Sequence, residues 1–401
     1  MNYKGINFEN VKNNNRSAIL HILNNEGAMS RKDIAKKTGL TAASVTLITT
    51  ELIEEKILVE LGEAVEEKRA GRRKILLDIN ARYKYILCIS IESDETYIAV
   101  TNCKGEILKN MILPTEKRVN PEKFLEKIAT ESTRILWDLG ISKSDVLGTA
   151  VSVPGKVDRE KGISINSFSI WTKPIPIADI LAEKLGLNIV VENNLKSAAE
   201  SEILFGTGRG VDNFVIVKWG PGVGSAIIIN QWIYEGATGL SGELGHVTLG
   251  KKGKPCNCGR TGCLETEIST HVIMDGINAL YKKEGKKNMP VFDKWISDGN
   301  EMSYLNAREW AALGDDKLQE LMADKIDKMA FCIRNYISLL DPNKVILTGY
   351  MFETEGVFEK FVETYREYDN QIPEDFFVKS EIPVRENHIE PLATALNEWL
   401  Y

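Results

Sequence analysis

Cys256-Asn257-Cys258-Gly259-Arg260-Thr261-Gly262-Cys263-Leu264-Glu265 gathers three of the chain's six cysteines into ten residues with two glycines among them. Two thiolates one residue apart reach a single ion only where the backbone turns sharply, and glycine adopts the positive φ that such turns need. Zinc takes four soft donors in a tetrahedron, so Cys256, Cys258 and Cys263 call for one more ligand, and His246 is the nearest upstream imidazole. A closed Cys3His shell leaves no open position, which points to a structural Zn2+ and away from an ion that activates water. The alternative is three ordinary thiols in a turn. A disulfide framework is disfavoured, because Cys88, Cys103 and Cys332 lie in apolar stretches and the N-terminus carries no apolar leader.

Outward from this loop, 401 residues suffice for two or three domains. No run approaches the length of apolar residues that would cross a bilayer, so neither a membrane nor secretion is expected and the chain reads as cytoplasmic. The net charge of −7 conceals an asymmetry: residues 1–80 carry 13 Lys+Arg against 11 Asp+Glu, whereas the remainder carries 37 against 46. A basic bias confined to the N-terminus is the footprint of a nucleic-acid-binding segment.

Residues 1–80 read as three helices and a hairpin. The first helix is expected from about Asn15 to Asn25, closed by Gly27. The second opens at Ser30 with Asp33 three residues on, a capping pattern, and ends at Thr38-Gly39. A third opens at Thr41 and turns Val45, Ile48, Leu52 and Ile53 inward. Its other face offers Ala42, Ala43, Ser44, Thr46 and Thr49, small and hydroxylated residues that let a helix lie in a major groove and reach base edges. Two strands follow, Ile57–Glu60 and Lys74–Leu77, joined by a loop that ends in Lys68-Arg69-Ala70-Gly71-Arg72-Arg73-Lys74. Together these make a winged helix-turn-helix. Ser30, Thr41, Ala42, Ala43, Ser44 and Thr46 would face operator DNA, with Arg69, Arg72, Arg73 and Lys74 on its phosphates or in its minor groove. Val11–Arg16 reads equally as an additional phosphate contact or as a cap and linker.

Beyond Tyr83 strands and helices alternate. Tyr85–Ile91, Thr96–Thr101 and Gly105–Leu108 form a meander, followed by a helix near Pro121–Trp137 and a strand at Val146–Ser152. A second cycle contains Phe214–Val217, Ser225–Ile229 and Val345–Thr348. The division expected is 1–80, a first lobe at 81–200 completed by the C-terminal helix 388–401, and a second lobe at 201–387 bearing the cysteine loop. Two such lobes imply a cleft between them for a small ligand.

The cysteine motif, with Gly242-Glu243-Leu244-Gly245-His246 ahead of it, resembles that of the ROK family of repressors and sugar kinases. The winged helix-turn-helix is similar to that of the family's repressor branch, to which the xylose repressor belongs. The resemblance covers essentially the whole chain and implies an α/β, two-lobed actin-like (ribonuclease H-like) ATPase fold, with assembly as a homodimer or tetramer. It also implies sugar contacts at Asn193, Asn194, Glu243, His246 and Glu265, where wrong epimers would strand buried polar groups at about 1–3 kcal/mol each.

Kinases of this family need features that are missing here. The first hairpin, Ile91-Glu92-Ser93-Asp94-Glu95-Thr96, holds three carboxylates and no glycine, which disfavours a triphosphate. Asn194 stands where those kinases carry an Asp base, and an amide cannot accept a proton. Gly349-Tyr350-Met351 replaces a glycine pair beside the nucleotide. Gly220-Pro221-Gly222-Val223-Gly224 retains the look of a phosphate loop. No catalytic residue and no ATP are therefore expected, and the partners expected are operator DNA and a small sugar effector. The alternatives are an active sugar kinase with an added DNA-binding domain, and a repressor governed by a protein partner. Trp171 reads either as a pocket wall or as an interior side chain.

Overall fold

A computed structural model describes residues 8–63, 74–117, 120–167 and 170–401. The chain folds into two compact units, Met1–Phe205 with Asn387–Tyr401, and Gly206–Glu386.

The first unit opens with helices Phe8–Glu26, Arg31–Thr38 and Ala42–Glu54. Ser30 caps the second, its Oγ accepting from the Asp33 N–H, and Gly39 closes that helix with φ +71°. Thr41 caps the third. Strand Ile75–Ile79 pairs antiparallel with Leu58–Glu63 on one side and with Met29–Ser30 on the other. The first helix starts well before Asn15, through an Asn-rich run of weak helix formers. Tertiary ion pairs hold that early half: Lys12 meets Glu51 at 2.8 Å, and Arg16 is bonded through both terminal nitrogens to Glu55. The stretch expected as a phosphate contact or a linker is thus helical and packed onto the third helix.

The larger sheet of this unit runs Ile189–Asn193, Val146–Val153, Tyr85–Ile91, Glu95–Asn102, Ile107–Pro114. Its first three strands are parallel and its last three form an antiparallel meander. One face buries Leu87 and Ile89 against Phe124, Ile128 and Leu181 of helices Pro121–Asp138 and Ile177–Leu185. Trp171 belongs to this core, with its indole N–H on Ser164 Oγ at 2.9 Å, so it is an interior residue.

The opposite face is covered by helices Asn194–Phe205 and Ile389–Trp399. Here the apolar core is continuous with that of the N-terminal helices: Ile19, Leu20, Leu23, Leu77, Ile86, Leu392, Leu396 and Leu400 belong to one cluster. The Asn24 amide donates to Leu204 O at 2.8 Å, and the His21 and Tyr401 rings lie 4.4 Å apart.

In the second unit the order is Trp232–Ile233, Val223–Ile229, Phe214–Trp219, Lys344–Thr348, Phe377–Lys379. The same pattern recurs, an antiparallel meander followed by two strands parallel to its first. Helices Thr270–Asn288, Asp316–Leu340 and Val357–Tyr368 supply Ile273, Ile277, Ile326, Met329, Ile333 and Phe361 to its core. Two sheets of identical connectivity in one chain are the duplicated plan expected of the actin-like class.

Gly148 sits under the Trp399 indole, and an added Cβ would lie 2.3 Å from Trp399 Cζ3. Gly148→Ala should therefore force the C-terminal helix off the sheet and cost about 1–3 kcal/mol in urea unfolding. An unchanged midpoint would mean that Trp399 is not seated there.

Candidate metal centre and sugar-contact residues

Residues Gly242–His246 lie against strand Val223–Ile229, and glycine is what allows the approach. A Cβ on Gly245 would stand 1.9 Å from Val223 O. Ser225 secures the same run, its N–H and hydroxyl both donating to Gly242 O. Leu244 is wholly buried, which fixes the short helix Leu244–His246 and aims Glu243 and His246 outward from it.

The cysteine loop closes on this segment through backbone bonds, from Leu264 N–H to Val247 O and from Leu249 N–H to Gly262 O. Gly262 has φ +74°, and a Cβ there would meet Gly250 O at 2.3 Å. Cys256 N–H donates to Arg260 O and Gly259 N–H to Cys256 O, so the turn wraps onto itself. As a result the ligand atoms of His246, Cys256, Cys258 and Cys263 all lie within 4.8 Å of one another. Cys256 Sγ is 3.6 Å from His246 Nδ1, and Cys258 Sγ is 3.6 Å from Cys263 Sγ. Four donors about 2.3 Å from a common ion stand about 3.8 Å apart in a tetrahedron, so the cluster fits a metal.

The surroundings suit that chemistry. Burial holds the His246 pKa below its ordinary value, assisted by the Arg260 charge, and so favours the neutral imidazole that binds metals. Burial also works against a Cys258 thiolate. The Arg260 Nε–H donated to its Sγ at 3.4 Å outweighs this, together with the backbone bond, and the thiol is pulled down to about 7. Cys263, fully buried, is pushed up to about 12 by desolvation, the opposing tendency that a cation would reverse.

His246 is two-sided. While Nδ1 faces Cys256, Nε2 lies 3.6 Å from Glu243 Oε2. Glu265 opens the short helix that follows Cys263 and Leu264, and its Oε2 accepts the Val223 N–H at 3.2 Å, inside the glycine-rich Gly220–Gly224 run. Burial raises its pKa and Glu243 adds to the rise, against the backbone bond. Glu243, His246 and Glu265 are thus brought together with the four-ligand cluster.

The asparagines belong to the first unit. Asn193 donates its amide to Gly155 O and accepts from the Leu195 and Lys196 N–H groups, so its side chain pins its own loop. Asn194 is buried and donates to Glu92 Oε1 at 3.0 Å. Asp94 of the same hairpin pairs with Lys117. In the second unit the Tyr350 ring stands against Gly220 and edge-on to Tyr304 at 5.3 Å, walling the glycine-rich run.

Of the expected DNA contacts, Thr41, Ala42, Ala43 and Thr46 are exposed and Ser44 is half-buried, whereas Thr49, read on the same face, is wholly buried and turned to Arg31. Ser30 is 4 % exposed, and its hydroxyl is engaged by Asp33, so it works as a helix cap inside the domain. Lys74 lies 3.6 Å from Asp33, while Arg69, Arg72 and Arg73 fall outside the described residues. Arg31 escaped sequence reading: its guanidinium bonds Thr49 Oγ1 and Glu60, tying the second helix to the third and to the hairpin.

The chain belongs to the ROK family, whose model matches residues 86–389. It is 28 % identical to the xylose repressor of Caldicellulosiruptor bescii over 372 residues, 90 % of this chain and 88 % of that protein. It is 30 % identical to the glucokinase of Halalkalibacterium halodurans over 63 % of this chain and 76 % of that enzyme. A solved structure described as a ROK family transcriptional regulator, homologous to the Escherichia coli MLC protein, has a TM-score of 0.78 at 24 % identity. It covers 97 % of this chain and 98 % of its own. No helix among the described residues is long and apolar enough to cross a membrane.

The protein as purified should hold about one equivalent of a divalent ion by elemental analysis. Cys258→Ser or Cys263→Ser should lose it, and full retention by both would remove the cluster as its ligand set.

Proposed function

We propose that the chain is a sugar-responsive transcriptional repressor that works in the cytoplasm on operator DNA and does not phosphorylate its effector. The observation that carries this reading is the capped helix-turn-helix and hairpin, built into the same unit as the first sheet of the family fold. The similarity to a xylose repressor over 90 % of the chain supports it.

The ion proposed for the cluster is zinc, in a closed structural shell of His246, Cys256, Cys258 and Cys263. It would supply rigidity: one ring nitrogen of His246 is fixed, which orients the other toward a sugar hydroxyl. Glu243 and Glu265 then accept hydroxyl hydrogens from the same side. For Glu265 this means one carboxylate oxygen on the Val223 N–H and the other available to ligand.

Loss of phosphoryl transfer is supported by Asn194, whose amide is bonded to Glu92 and cannot serve as a base. Tyr350 beside Gly220 agrees, because its ring narrows the glycine-rich run. That run is itself the feature favouring the second reading, an active kinase with a DNA-binding domain, and the glucokinase similarity gives it weight. Repression would be exerted by a dimer that holds two recognition helices one helical turn apart, roughly 34 Å, so that a modest change in spacing releases one half-site.

A thermal-shift panel of pentoses, hexoses and disaccharides, run with and without a zinc chelator and alongside an ATP-consumption assay, tests this. One sugar should raise the melting temperature by roughly 3 °C or more near 100-fold its Kd, and chelation should abolish the shift. ATP consumption should stay at background. Sugar-dependent turnover would establish the kinase, and no shift with any sugar would favour control by a protein partner.

A further inference from the structure

We infer that the outer face of helix Ala42–Glu54 reads thymine 5-methyl groups, with Leu47 as the specificity-determining residue; this rests on the proposed DNA-binding role of that helix. Its sequence, Ala-Ala-Ser-Val-Thr-Leu-Ile-Thr-Thr-Glu-Leu-Ile-Glu, contains no Arg, Lys, Asn or Gln. The bidentate donors that identify guanine or adenine in the major groove are therefore absent from it.

The hydroxyls do not replace them. Thr46 donates to Ala42 O at 2.7 Å and Thr50 to Thr46 O at 2.8 Å. The Thr41 and Ser44 hydroxyls are bonded to each other at 2.8 Å, and Thr41 also caps the Ser44 N–H. The Thr46 and Thr50 hydrogens are engaged and the Thr41–Ser44 pair has one hydroxyl hydrogen to spare, so the face directs few donors toward guanine O6 or purine N7.

What remains is apolar. Ala42, Ala43, Thr46 and Thr50 are exposed, and Leu47 is 61 % exposed, although Val45, Ile48 and Leu52 of the same helix fill the core. A single exposed leucine is ordinary on a protein surface. Leu47 stands out because Ala43 and Thr50 lie four and three positions from it, on its own face, with the exposed Thr46 beside it in sequence and Glu51, four positions on, turned to Lys12. An apolar face that enters a major groove has one apolar partner there, the thymine methyl.

Charge favours the same occupant. The helix's acidic residues sit in its last turn, and Glu51 is paired with Lys12. Lys32 and Lys36 are exposed on the preceding helix, the element that lies along the phosphates in this type of domain. Phosphate contacts would thus provide affinity, and methyl contacts the choice of base.

The test uses the full chain. Duplexes are enriched from a random-sequence pool, and the winning duplex is synthesised with thymidine or with deoxyuridine, which removes the methyl and keeps the pairing. Binding should weaken roughly fourfold for each contacted methyl removed, the worth of one buried methyl group. Leu47→Ala should bind the thymidine duplex more weakly and lose much of its preference over deoxyuridine. Because Leu47 is exposed, its melting temperature should not change. Equal binding of the two duplexes by the unaltered protein, or a full thymidine preference in Leu47→Ala, would overturn the inference. A pool that yields no bound duplex would instead overturn the DNA-binding reading beneath it.

Discussion

The C-terminal helix Ile389–Trp399 packs in the same apolar core as the N-terminal helices, and the first unit depends on that packing. Leu392 and Leu396 lie in the cluster that holds Ile19, Leu20 and Leu23, and the chain ends with Tyr401 against His21. Polar bonds reinforce the joint: Arg159 bridges Glu192, Glu200 and Glu398, and the Thr394 hydroxyl is bonded to Glu200 and Ser197. Glu192 in turn accepts the Asn193 N–H. The loop at Asn193, the C-terminal helix and the helix-turn-helix are therefore linked by contiguous contacts within one unit. Contiguous packing and hydrogen bonding of this kind is one route by which one site can bias another.

In the second unit the governing constraint is the cysteine loop. Its glycines let it fold back onto Gly242–His246, and this places the imidazole between a thiol cluster and a carboxylate. Desolvation of Cys256 and Cys263 opposes their thiolates, so an ion bound at the cluster would couple its own binding to the order of the loop.

Much of this was legible in the sequence. Cap residues and cysteine spacing are local signals: Ser30, Gly39 and Thr41 bound helices where the sequence placed them, and the side chains of His246, Cys256, Cys258 and Cys263 cluster. The early start of the first helix was hidden, because Asn13–Asn15 disfavour helix and the compensating pairs to Glu51 and Glu55 span 39 residues. Packing of the C-terminal helix onto the N-terminal ones joins opposite ends of the chain, which periodicity cannot register. Hydroxyls on the third helix promised hydrogen bonds to DNA, but that of Thr46 is donated to the Ala42 carbonyl four residues back, and those of Thr41 and Ser44 bond each other.

The most direct measurement of the central claim is operator affinity, by fluorescence anisotropy, across a titration of whichever sugar the protein binds, with no nucleotide present. The account predicts that saturating sugar changes the operator Kd by about tenfold or more, and that operator changes the sugar's Kd by the same factor. A sugar that binds tightly and leaves operator affinity unchanged would contradict it.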